Sequence, residues 1–77
     1  MFEKLKEYIC NYVDADPDSI TEDSRFMEDL SFNSYDFMSM LGEIEDELGL
    51  EIDDEEIISL HTVGEAVSYL EKLDKEK

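Results

Sequence analysis

Apolar residues in this chain recur mostly at intervals of three and four, which gives it helical stripes to bury and predicts no sheet. Phe2, Leu5, Tyr8, Ile9, Tyr12 and Val13 fall on one stripe, which predicts a first helix over about 2–13. The periodicity then lapses from Asp14 to Asn33. Asp14-Ala15-Asp16-Pro17-Asp18-Ser19 has turn composition, while Ile20, Phe26, Leu30 and Phe32 are isolated apolar anchors, so residues 14–33 read as a loop. A connection this long is either pinned by its anchors or carries function.

A second helix is expected over 34–48, capped by Asn33 or Ser34 and stopped at Gly49, which tolerates a left-handed conformation. Phe37, Leu41, Ile44 and Leu48 form its packing side; Asp36, Glu43, Asp46 and Glu47 lie opposite and are expected to meet solvent. Leu50 and Ile52 lead to a short third helix, about 53–59, whose Ile57 and Ile58 are expected to close over the core behind an acidic start. Thr62 and Glu65 have capping-box spacing, and Val63, Ala66, Val67, Leu70 and Leu73 extend a fourth helix over about 62–73. The pattern therefore predicts one all-α domain, a four-helix bundle with a long first connection and a short third helix. Met27, Met38 and Met40 read as core fillers.

At 77 residues the chain cannot fill two cores. Its 23 acidic and 6 basic residues give a formal charge of -17, which argues against nucleic acid and anionic membrane surfaces as partners and for basic proteins. Between Arg25 and Lys72 every formal charge is negative. No apolar run approaches the roughly 18 residues of a membrane span, and neither secretion nor insertion is signalled. The lone Cys10 cannot close an intramolecular disulfide, which fits a reducing cytoplasm, and a monomer is expected. Asp14, Asp16, Asp18, Ile20 and Glu22 imitate a calcium-loop spacing, but Ser19 replaces the turn glycine and Arg25 stands where a bidentate glutamate belongs, so no specific metal site is expected. Ser34 and His61 lack the context of a hydrolytic triad.

Two roles fit Ser34, at the junction of the long loop and the second helix. Its hydroxyl can cap the helix, or it can bear a covalent anionic group, which the amides and positive dipole of a helix start would stabilise. Residue type alone does not choose between them.

The stretch Phe26-Met27-Glu28-Asp29-Leu30-Ser31-Phe32-Asn33-Ser34-Tyr35-Asp36 resembles the acyl carrier protein segment that ends in Asp-Ser-Leu-Asp, where the serine bears 4'-phosphopantetheine. Glu45-Asp46-Glu47-Leu48, Glu51-Ile52, Asp54-Glu55-Glu56 and Thr62-Val63 through Tyr69-Leu70 are similar to the same family in order and spacing, so the resemblance covers almost the whole chain. It implies a non-catalytic carrier with the arm on Ser34, made by a phosphopantetheinyl transferase from coenzyme A and holding acyl groups as thioesters for basic partner enzymes of fatty-acid or related polyketide synthesis. It implies a docking surface of Tyr35, Asp36, Glu43, Glu45, Asp46, Glu51 and Glu56, and an acyl pocket walled by Phe26, Leu41, Ile44, Ile52, Ile57, Leu60 and Ala66. Each of these residues also fits a plain solvated face or ordinary core packing.

Asn33 and Tyr35 depart from the family's Asp and Leu beside the serine, Ser31 and Phe32 replace its common small residues upstream, and Ser39 and Gly42 stand where it presents an acid and an apolar contact. These departures point to a dedicated transferase or a specialised pathway. The competing reading is an unmodified acidic helical adaptor that binds basic proteins.

Overall fold

In the computed structural model, which describes residues 1–75, the stripes become four helices: α1 (Phe2–Tyr12), α2 (Ser34–Leu48), α3 (Asp54–Ile57) and α4 (Val63–Lys75). The protein is all-α, and the only extended pairing among the described residues is an isolated antiparallel bridge between Arg25 and Thr62. α1 packs against both α2 and α4. Leu5 and Ile9 from α1, Met40 and Ile44 from α2, Ile57 from α3 and Val63, Ala66 and Leu70 from α4 share one core, all but excluded from solvent.

Capping chemistry sets the ends of α2. The Asn33 side-chain oxygen accepts the Asp36 amide at 2.7 Å, and Gly49 ends the helix at φ 65, where a Cβ would be strained. α3 is a single turn, shorter than the expected 53–59. Asp53 lies outside it as the cap, accepting the Glu55 amide at 2.9 Å. Beyond Ile57 the amides of Ser59 and Leu60 reach back only three residues, to the carbonyls of Glu56 and Ile57, so the α-helical ladder does not continue. Ile58 is consequently turned outward and 73% exposed, while Ile57 takes the core position alone. α4 begins one residue after Thr62, whose hydroxyl accepts the Glu65 amide at 3.2 Å, and it ends with Lys72 and Lys75 in the last turn, where positive charge suits the helix dipole. α1 ends at Tyr12 because Val13 is already extended.

The long connection is pinned. Ile20, Phe26, Leu30 and Phe32 are all buried, and a short 3-10 turn over Pro17–Ser19 is capped by Asp16. Three backbone hydrogen bonds stitch the connection to the start of α4: the Val63 amide to the Ser24 carbonyl at 2.9 Å, Gly64 to Glu22 at 2.8 Å, and Phe26 to His61 at 3.2 Å. A glycine at position 64 suits this approach, since a Cβ there would stand 3.0 Å from both the Cβ and the carbonyl oxygen of Glu22, closer than ordinary van der Waals contact. Ser31 turns the chain at φ 61, a conformation that costs a residue with a Cβ about 1–2 kcal/mol. The Phe32 amide then bonds the Phe26 carbonyl at 3.0 Å, closing the loop just ahead of α2.

Candidate functional site

Asn33 provides the cap, so Ser34 is the first residue of α2 and not its cap. The Ser34 side chain is exposed, and among the described residues its hydroxyl has no hydrogen-bond partner. It stands at the end of α2 where unpaired first-turn amides and the helix dipole favour a negative charge. A serine with a free hydroxyl at a helix start suits a phosphodiester, and the adjoining surface has room for a tether. Beside Ser34 lies an open groove of about 590 Å³ with Phe26, Met27, Phe37, Met38, Ile58 and Leu60 as its apolar walls. Arg25, Glu28, His61, Thr62 and Glu65 form its polar rim. The Arg25 guanidinium is already paired with Glu28 at 3.1 Å in solvent, an arrangement that contributes little stability.

The groove is not the pocket expected from the sequence. Of the seven expected wall residues only Phe26 and Leu60 line it. Leu41, Ile44, Ile57 and Ala66 are core residues with 3% exposure or less, and Ile52 is half-buried, its amide held by the Glu45 carboxylate at 2.8 Å. Met27 and Met38, read above as core fillers, are 46% and 38% exposed and belong to the groove; only Met40 is buried. Sequence reasoning missed Met27, Met38 and Ile58 as groove residues. A signal for Met38 was available: it lies one helical turn beyond Ser34 and therefore beside it.

The acidic side of α2 is divided between two environments. Tyr12 donates its hydroxyl to Glu43 at 2.7 Å, and Tyr8 donates to Glu47, so these two carboxylates tie α2 to α1 and do not simply meet solvent. Glu45 holds the Ile52 amide, and Asp36 is half-buried. Tyr35, Asp46, Glu51 and Glu56 are exposed. Tyr35, Gly42 and Asp46 lie along the outer flank of α2 with half-buried Ser39 between them, and a Cβ on Gly42 would find no atom within 4 Å. Among the described residues nothing therefore requires glycine at position 42.

The tyrosine contacts predict an alkaline transition. Burial, reinforced by the hydrogen bond to Glu47, pushes the Tyr8 hydroxyl up to about 12. The bond to Glu43, followed by burial, raises Tyr12 as well. A phenol raised above its unfolded value near 10 contributes stability that is complete below pH 10 and is lost as pH climbs through the folded value. We expect helix content to hold to about pH 10 and to fall as the pH approaches 12, with Tyr8→Phe removing part of that dependence. Circular dichroism recorded with tyrosinate absorbance checks this; helix loss below pH 9 without tyrosinate formation would contradict it.

Residues 3–70 match the family model for the phosphopantetheine attachment site. The chain is also similar to a solved structure of acyl carrier protein from Enterococcus faecalis, with a TM-score of 0.81 and 35% identity over 94% of this chain and 91% of that one. The fold and the matched region thus define a phosphopantetheine-bearing carrier domain, one that holds a cofactor and does not itself catalyse. The chain belongs to the acyl carrier protein family.

Proposed function

We propose that Ser34 is the residue that bears 4'-phosphopantetheine, and that the protein presents acyl thioesters to basic-surfaced enzymes of fatty-acid or related polyketide synthesis in the cytoplasm. The observation that carries this reading is the released Ser34 hydroxyl: Asn33 caps α2 in its place, leaving an exposed nucleophile at the helix start beside an apolar groove. Bound there, the arm supplies a terminal thiol that holds an acyl group as a thioester and raises its effective concentration at a docked enzyme. The chain's own part is to hold the anchoring oxygen on a rigid element, to favour the phosphodiester charge with the helix start, and to orient partners.

Charge supports the choice of partner. Asp46, Glu51 and Glu56 are exposed on the stretch that lacks any Lys or Arg, so a basic surface is steered toward α2 and α3, gaining on-rate and orientation more than lasting affinity. Tyr35 gives that face an aromatic contact, 80% exposed, directly after the serine. Gly42, which costs α2 about 1 kcal/mol relative to Ala, leaves the flank flat for close approach.

The test is attachment itself. Apo-protein incubated with coenzyme A and a broad-specificity phosphopantetheinyl transferase is expected to gain the mass of one phosphopantetheine, and Ser34→Ala to gain none while keeping the helical spectrum of the wild type. Failure of the wild type with several transferases, including the host's own, would favour the unmodified acidic adaptor.

A further inference from the structure

Among the described residues four large hydrophobic side chains stay exposed, and three of them, Met27, Met38 and Ile58, wall the groove beside Ser34. Two of those three are thioethers. The chain has four methionines, and the other two are placed differently: Met40 is 0% exposed in the core, and Met1 is half-buried just ahead of α1, outside the groove. Met38 follows Ser34 by four residues, about one helical turn, so the two are neighbours on the surface of α2. Met27 reaches the same groove from the long connection and is 46% exposed, against 38% for Met38. An enzyme that covers Ser34 therefore also covers Met38, and small solutes reach both thioethers whenever no enzyme is bound.

We propose that Met27 and Met38 form a paired oxidation site: hydrogen peroxide converts them to sulfoxides ahead of Met40, which makes the apolar wall beside Ser34 polar and weakens the docking of enzymes that act on this face. The docking consequence rests on Ser34 being the attachment point; the order of oxidation does not. In the reaction a sulfur lone pair attacks one peroxide oxygen, an S–O bond forms as the O–O bond breaks, and the departing hydroxide takes the proton left on the transferred oxygen and leaves as water. Sulfur loses two electrons and the peroxide gains two. Reductases specific for the two sulfoxide epimers reverse the change. Oxidation turns a flexible apolar side chain into a polar one, so the contacts a thioether makes at an interface are lost with it. Peroxide reaches an exposed side chain directly, whereas Met40 becomes accessible only when the bundle opens. A sulfoxide carries no net charge, so the acidic field that steers basic partners is left as it was.

The apo-protein is treated with hydrogen peroxide and then with dithiothreitol, which returns Cys10 to the thiol and leaves sulfoxides in place. Peptide masses taken over time are expected to show Met27 and Met38 oxidised at least about tenfold faster than Met40, with the helical spectrum kept. As a substrate for a phosphopantetheinyl transferase and coenzyme A, the treated protein is expected to show a KM raised about fivefold over its own untreated sample, with the salt dependence of KM unchanged. Treatment with both sulfoxide reductases restores the KM. The double variant Met27→Leu/Met38→Leu, compared with its own untreated sample, is expected to change by less than about twofold. Met40 oxidised as fast as the other two, or helix loss on treatment, would overturn the site. A KM unmoved by complete oxidation of both residues, one that the reductases do not restore, or an equal rise in the leucine variant would overturn the docking consequence. In all of these results untreated wild type still gains phosphopantetheine and the carrier reading stands. Untreated wild type that gains no mass with several transferases contradicts that reading and the docking consequence with it, while the peptide masses still decide the oxidation site.

Discussion

Phe26→Ala is expected to destabilise the protein by about 3–5 kcal/mol, a fall on the order of 20 °C in melting temperature for a domain of this size. Phe26 is 1% exposed and contacts both Phe32 and Phe37, so truncation removes a ring on which the loop and the first turn of α2 both pack. The loop has no regular secondary structure of its own over residues 20–33 to compensate, and it depends on such anchors and on its bonds to α4. Met27→Ala, one residue on but 46% exposed, is the control and should stay within about 0.5 kcal/mol of the wild type. Thermal and urea denaturation followed by circular dichroism measure both. A loss below about 1 kcal/mol at Phe26 would show that the loop is held by its backbone bonds alone.

Salt should have the next largest effect. A net charge of -17 is carried on 77 residues, and among the described residues the ion pairs are Lys6 with Glu3 and Arg25 with Glu28, neither of which relieves the acidic run Asp53-Asp54-Glu55-Glu56. Like charges about 4 Å apart repel by about 1 kcal/mol in water, and a few such contacts screened together amount to about 2 kcal/mol. Raising ionic strength from low salt to roughly 0.5 M is therefore expected to lift the melting temperature by about 10 °C, with divalent cations acting at lower concentration. A transition that stays put across the series would mean that these carboxylates lie far enough apart for solvent alone to separate them.

The helical class was legible because its evidence is local. Leu5, Tyr8 and Ile9, then Phe37, Leu41 and Ile44, then Val63, Ala66, Val67 and Leu70 carry their burial as spacing along the chain. Ser34 was legible as a residue worth attention, but that Asn33 and not Ser34 caps α2 became visible only with the Asn33 oxygen on the Asp36 amide. The third helix was overextended because Ile57 and Ile58 look alike in sequence, whereas one turn can direct only one of them inward. The engagement of Glu43 and Glu47 by Tyr12 and Tyr8 depends on how α1 lies against α2, which no periodicity within α2 encodes. The groove is tertiary in the same sense: Met27, Met38 and Ile58 come from a loop, a helix and a turn far apart in the chain.

Intact-mass and peptide analysis of the protein isolated from its own cells bears most directly on what this molecule is for. The expected result is one phosphopantetheine on the peptide containing Ser34, with or without an acyl group on its thiol. A Ser34 that is bare in every growth condition would contradict the carrier account and leave an acidic helical scaffold for basic proteins.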